Sequence, residues 1–256
     1  MHVKTSIITN NNLCRSFALV IMCLISGSLA ASPSQDQMIS ALMNQSIEKK
    51  ISVSRTISSL LNRYPELSDK ILSLAISNYP NKYRQIIRGA LRSDPNYADE
   101  IIALAINHQV ATITDIVKTA IKAEPAYADE IVINAASAEL TKKQEILKEA
   151  LKTMPSMSNS ILHRMLNEYP SEFDQTLHNT FATLPRRVRS LLDYLFVNFP
   201  QQQTQIMAVA IQSTQPEQIN TIVKSAMAAG IDEKTIIDTA IAAGVKEEQL
   251  TVQSRS

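Results

Sequence analysis

Glycine is almost missing from this chain. There are four (Gly27, Gly89, Gly230 and Gly244) among 256 residues, where about 7% would be ordinary. Phosphate-cradling loops and dinucleotide folds need clustered glycines, so both are excluded. Tryptophan is absent and aromatic residues make up only 5%. There are two cysteines, Cys14 and Cys23, both near the start. Beyond them the chain offers no disulfide, thiolate zinc site or cysteine nucleophile. An excess of one charge is lacking as well: 25 Lys and Arg stand against 24 Asp and Glu, a net of +1. That balance is not the footprint of a nucleic-acid binder. No segment approaches the roughly twenty apolar residues of a membrane span. What remains is 45% hydrophobic, enough for one or two domains with a substantial core and too apolar for a disordered chain.

The first thirty residues read as an address. Lys4 and Arg15 precede the apolar run from Phe17 to Ile25, and Ser28 and Ala30 supply small residues at minus three and minus one. This pattern predicts a signal peptide over residues 1–30, cleavage after Ala30, and export to the periplasm, with secretion as the alternative. Cys23 follows Val20, Ile21 and Met22, without the small residue that a lipidation signal needs at that place. Removal of the leader would take both cysteines with it.

The rest of the chain repeats every fifteen residues. Pro65, Pro80, Pro95, Pro125, Pro155, Pro170, Pro185 and Pro200 differ by multiples of fifteen, and Pro216 follows after a slip of one. Val110 and Leu140 hold the two vacant places. With proline at position one, position seven reads Ile71, Ile86, Ile101, Ile116, Ile131, Ile146, Ile161, Thr176, Leu191, Ile206, Ile222 and Ile237. Position eleven runs from Ala75 through Ala90, Ala105, Ala120, Ala135 and Ala150 to Met165, Thr180, Leu195, Ala210, Ala226 and Ile241. Apolar places at four, seven, eight, eleven and twelve form one face of a helix. Proline fits the first turn, where its missing N–H has no intrahelical partner, and alanine lets neighbouring helices approach. Helices this short need stacking to be stable.

A thirty-residue period overlies the first. The stretch from Asp94 to Ile102 (DPNYADEII) returns from Glu124 to Val132 (EPAYADEIV). The unit is therefore a helical hairpin, with A helices starting near 65, 95, 125, 155, 185 and 216 and B helices near 80, 110, 140, 170, 200 and 231. The expectation is an all-α, right-handed α-α solenoid of about twelve to fourteen short helices. Residues 31–64 form an N-terminal helical cap, 65–245 the repeats, and 246–256 a polar tail. Gly230 and Gly244 close the last two helices. Asp94-Pro95-Asn96-Tyr97-Ala98 resembles the start of a tetratricopeptide repeat, and the architecture is similar to HEAT solenoids. The period of thirty and the lack of tryptophan depart from the former. Both resemblances imply partner binding.

Basic residues recur by layer. On the B helices, positions nine and thirteen hold Arg88 and Arg92, Lys118 and Lys122, Lys148 and Lys152, an expected stripe for an acidic partner. Asp69, Asp99 with Glu100, and Asp129 with Glu130 open the A helices. Acids early and bases late suit the helix dipole, and the two sets are expected to pair where A-helix starts meet B-helix ends. Arg186, Arg187 and Arg189 break that rule by opening an A helix, which marks a second candidate binding site. His163, His178 and Asp193 share position nine. Alternate helices face opposite ways, so they do not form a metal site. Tyr64, Tyr79, Tyr169 and Phe199 precede prolines, and Tyr97 and Tyr127 follow two residues after one. These rings are expected to pack across the turns.

No nucleophile elbow, His-Glu-x-x-His or other catalytic motif is present, and no cofactor is implied. The sequence therefore reads as an exported, non-enzymatic helical-repeat protein that binds a protein or an anionic polymer. A helical scaffold or enzyme of cell-wall or polysaccharide processing is the alternative.

Overall fold

The structure, a computed structural model, describes residues 34–246. The leader expected over 1–30, its cleavage site, and the tail beyond 246 lie outside the described residues. The chain divides into two units, residues 1–38 and 39–256. Of the first, residues 34–38 are described, as the start of helix α1 (Gln35–Glu48). There the Gln37 N–H donates to Ser34 Oγ at 3.3 Å and the Ser34 N–H to Gln37 Oε1 at 3.0 Å, a reciprocal capping box.

The second unit is an all-α helical-repeat solenoid. In one layer, the B layer, α2 (Val53–Arg63), α4 (Tyr83–Ser93), α6 (Ile113–Ala123), α8 (Lys143–Thr153), α10 (Phe173–Thr183), α12 (Gln203–Ser213) and α14 (Glu233–Ala242) pack each on the next. In the A layer α3 (Ser68–Asn78), α5 (Ala98–Asn107), α7 (Ala128–Ala138), α9 (Ser158–Glu168), α11 (Val188–Asn198) and α13 (Ile219–Ala228) do the same. These fourteen helices come without a strand among the described residues. From Ile39 onward α1 lies beside α3: Asn78 Nδ2 donates to Ser40 Oγ at 3.5 Å, and the Tyr79 hydroxyl donates to Asn44 Oδ1.

The fifteen-residue period has a concrete anatomy. Eleven α-helical residues are followed by one non-helical residue and a three-residue 3₁₀ turn, as in Ser68–Asn78, Tyr79 and Pro80–Lys82. The ring of Pro80 bars Tyr79 from the α region, and Tyr79 sits at φ −132°, ψ 51°. Its N–H still donates to the Ala75 carbonyl at 2.9 Å and closes the preceding helix. Proline thus opens a 3₁₀ turn that leads into the α-helix, rather than the α-helix itself. Leu140 holds the same turn without proline, over Leu140–Lys142.

Val110 does not. Here Gln109 takes φ +49°, Val110 N–H reaches back to the Ala105 carbonyl at 3.2 Å, and Thr112 caps α6 by accepting from the Asp115 N–H at 3.3 Å. This is a left-handed helix ending followed by a side-chain N-cap. The same device recurs at Lys50 with Ser52 and at Gly230 with Asp232. Gly230 at φ +83° and Gly244 at φ +99° adopt the conformation expected of them, one that residues with a side chain rarely take.

The apolar face expected from position seven is fully buried from Ile71 to Ile222, and Ala75, Ala90, Ala105, Ala120, Ala135 and Ala150 beside it are sealed. Thr176, the polar member, is also buried; it accepts from Gln144 Nε2 at 3.3 Å. The last helix departs from the expected register. Ile236 and Ala240 take the core places, whereas Ile237 is half-buried and Ile241 is 44% exposed. The residue gained before Pro216 is returned at the left-handed turn before Asp232. Ile206 and Ile236 consequently stand thirty apart, and the hairpin period is kept.

Candidate anion-binding face

All six bases of the expected stripe, Arg88, Arg92, Lys118, Lys122, Lys148 and Lys152, are exposed on the B layer. They lie on three consecutively packed helices, α4, α6 and α8. On α10 the corresponding places hold His178 and Ala182, and the row ends. The expected pairing with A-helix acids does not occur among the described residues. The observed cross-helix ion pairs run within the B layer: Lys118 to Glu149 at 3.4 Å, Arg84 to Asp115 at 3.7 Å, and Lys143 to Glu172. The acids keep to their own layer instead, where Glu100 faces Asp69 of the neighbouring α3. Burial pushes the Glu100 carboxyl up to about 7, and the Asp69 charge, a hydrogen bond with Asp69, and Asp99 act in the same direction. Arg88, Arg92, Lys122, Lys148 and Lys152 are in no ion pair among the described residues.

At the α2 end the row opens into a groove of about 820 Å³ between α2 and α4. Arg55 and Arg63 from α2 and Arg88 and Arg92 from α4 line it, and no aspartate or glutamate does. Ser58, Ser59 and Asn62 supply further polar groups. Asn62 Oδ1 accepts from Ser93 Oγ at 2.7 Å, so its Nδ2 is left to donate. The Arg63 guanidinium lies over the Tyr64 ring, 5.6 Å from its centroid, which holds that long side chain in place. Gly89 sets the approach of the two helices. A Cβ there would come within 2.5 Å of the Ser54 carbonyl oxygen and 3.0 Å of Ile57 Cβ. The equivalent places on later B helices hold Thr119, Glu149, Asn179 and Val209, so this close crossing belongs to the α2–α4 junction. The sequence pattern marks neither Arg55 nor Arg63, and it marks Gly89 only as a scarce glycine.

The second basic candidate is largely occupied. Arg187 is half-buried and donates to the Pro155 carbonyl of the preceding A unit, while Arg189 faces Asp193 four residues on at 3.9 Å. Arg186 and Arg187 belong to the 3₁₀ turn Pro185–Arg187 rather than to α11. Arg187 is the N-cap residue of α11, so its cation still stands at the positive end of the helix. Only Arg186 is left exposed without an assigned contact.

His163 rests against Tyr194 and Phe199, with ring centroids 6.3 and 5.6 Å away, and its Nδ1 is buried without a partner. His178 Nδ1 is instead 2.8 Å from Ser213 Oγ. Among the described residues no three His, Cys, Asp or Glu side chains gather to hold a metal. Tyr64, Tyr79, Tyr97, Tyr169 and Phe199 pack against the core as expected, but Tyr127 is 37% exposed. No described helix is long and apolar enough to cross a membrane. No family model matches the chain, and neither the curated proteins nor the solved structures give a match.

Proposed function

We propose that the chain is an exported, non-enzymatic helical-repeat protein whose B layer binds an extended acidic partner. The observation that carries this reading is the row from Arg88 to Lys152. It has six exposed bases on three stacked helices, and only Lys118 is engaged by a carboxylate. Stacked B helices are roughly 10 Å apart, so the row offers evenly spaced charges to a partner lying across them. Repeat surfaces of this kind suit long ligands.

The test is the triple change Arg88→Gln, Lys118→Gln and Lys148→Gln. Melting should barely move, because exposed pairs are worth only about 0–1 kcal/mol each. Binding to poly-L-glutamate, followed by fluorescence anisotropy, should weaken. A variant that loses stability yet binds the polymer like the wild type would show the row to be structural.

A further inference from the structure

The two parts of the basic surface use different cations. Every base lining the groove is arginine (Arg55, Arg63, Arg88 and Arg92), and every base of the row beyond it is lysine (Lys118, Lys122, Lys148 and Lys152). The distinction is chemical. Guanidinium is a planar fork that bonds oxyanions in pairs, whereas an ammonium on a flexible stem acts as a point charge. We infer that the α2–α4 groove is a discrete phosphoryl-binding site, and that the lysine row holds the acidic chain that carries the phosphoryl group.

Three features favour a phosphoryl group over a carboxylate. Four cations without a lining acid call for more than one negative charge, and a phosphate monoester carries about two near neutral pH. The donors comprise four guanidiniums, the Asn62 amide and the hydroxyls of Ser58 and Ser59, more than the four or so lone-pair sites of one carboxylate can use. The groove is also held in shape before any ligand arrives. Gly89 fixes the helix approach, Ser93 orients Asn62, and Tyr64 supports Arg63. With no glycine-rich loop in the chain, side chains must do the work that backbone N–H groups do elsewhere. This inference rests on the acidic-partner reading for the lysine row, but the groove can be tested apart from it.

Isothermal titration of the full chain with pyrophosphate, succinate and poly-L-glutamate separates the two claims. Pyrophosphate should bind at least about tenfold tighter than succinate. Exchanging all four groove arginines for lysine conserves charge and should weaken pyrophosphate at least about tenfold, because paired geometry is lost. The same exchange should leave poly-L-glutamate within about twofold, a change of under 1 kcal/mol. Changing Lys118, Lys122, Lys148 and Lys152 to glutamine should do the reverse. The single change Arg63→Lys, at an exposed site, gives the same reading should the quadruple variant fold poorly. Equal affinity for pyrophosphate and succinate, or indifference of pyrophosphate to arginine-to-lysine exchange, overturns the groove and leaves the acidic-partner reading standing. Pyrophosphate binding without any binding of poly-L-glutamate keeps the groove and overturns that reading.

Discussion

Gln144 shows how one residue can decide whether a polar core place is tolerated. Its amide donates to Glu172 Oε2 at 2.9 Å and to Thr176 Oγ1, and accepts from Asn179 Nδ2 at 2.7 Å. Asn179 and Thr176 are buried. Changing Gln144 to leucine removes their partner, and leaving such groups unpaired costs about 1–3 kcal/mol each. Urea unfolding of Gln144→Leu should show a loss on that order. Gly89 is the other decisive residue. Gly89→Ala brings a methyl against the Ser54 backbone, and relieving such overpacking costs about 1–3 kcal/mol. The same change should also weaken pyrophosphate binding, because the groove walls are α2 and α4. At this scale the sequence was only partly legible. Thr176 stood out as the break in a row of Ile and Leu, but its partner thirty-two residues away gave no signal. Gly89 drew notice only as a rarity. Its reason lies in the proximity of another helix.

At the scale of the element, the proline ladder made the period and the helix ends readable because each proline disfavours helix at the residue before it. The 3₁₀ turn that then shifts the α-helix start three residues on left no mark in the pattern. The second turn type was hidden. Val110 stands where the ladder lacks proline, and there Gln109 and Thr112 make a different closing and capping of the same length. The register of α14 is not fixed by composition, because Ile236 and Ile237 are equally apolar and only the shortened turn after Gly230 chooses between them. The A-layer acids add a pH dependence. Glu100 titrates near 4.5 when unfolded and at about 7 in the fold. The folded chain therefore holds this proton more tightly. The contribution to stability is complete below about 4.5 and declines as pH rises through about 7. Glu100→Gln should flatten that part of the profile and melt higher than the wild type at pH 8, as thermal scans at pH 5 and pH 8 would show.

For the whole molecule, stability is a sum over stacked neighbours, so a change in the middle of the stack is felt across it. Ile101 and Ile131 are wholly buried on α5 and α7, and truncating either to alanine should cost about 2–5 kcal/mol. Circular dichroism melts should show the loss as a lower midpoint of the helical signal. The basic row of α4, α6 and α8 was legible in outline from its thirty-residue spacing, whereas the B-layer acids that pair within that layer, Asp115 and Glu149, were not. The groove was not, because half of it comes from α2, which lies outside the regular ladder. The central claim is that the basic face of the B layer binds an acidic chain through largely unpaired, exposed charges. The most direct measurement is the affinity for poly-L-glutamate as a function of sodium chloride. Between about 0.1 M and 1 M salt the Debye length contracts from about 10 Å to about 3 Å. The account predicts measurable binding at the lower concentration that falls steadily toward the higher. Affinity that is unchanged by salt, or absent already at the lower concentration, would contradict it.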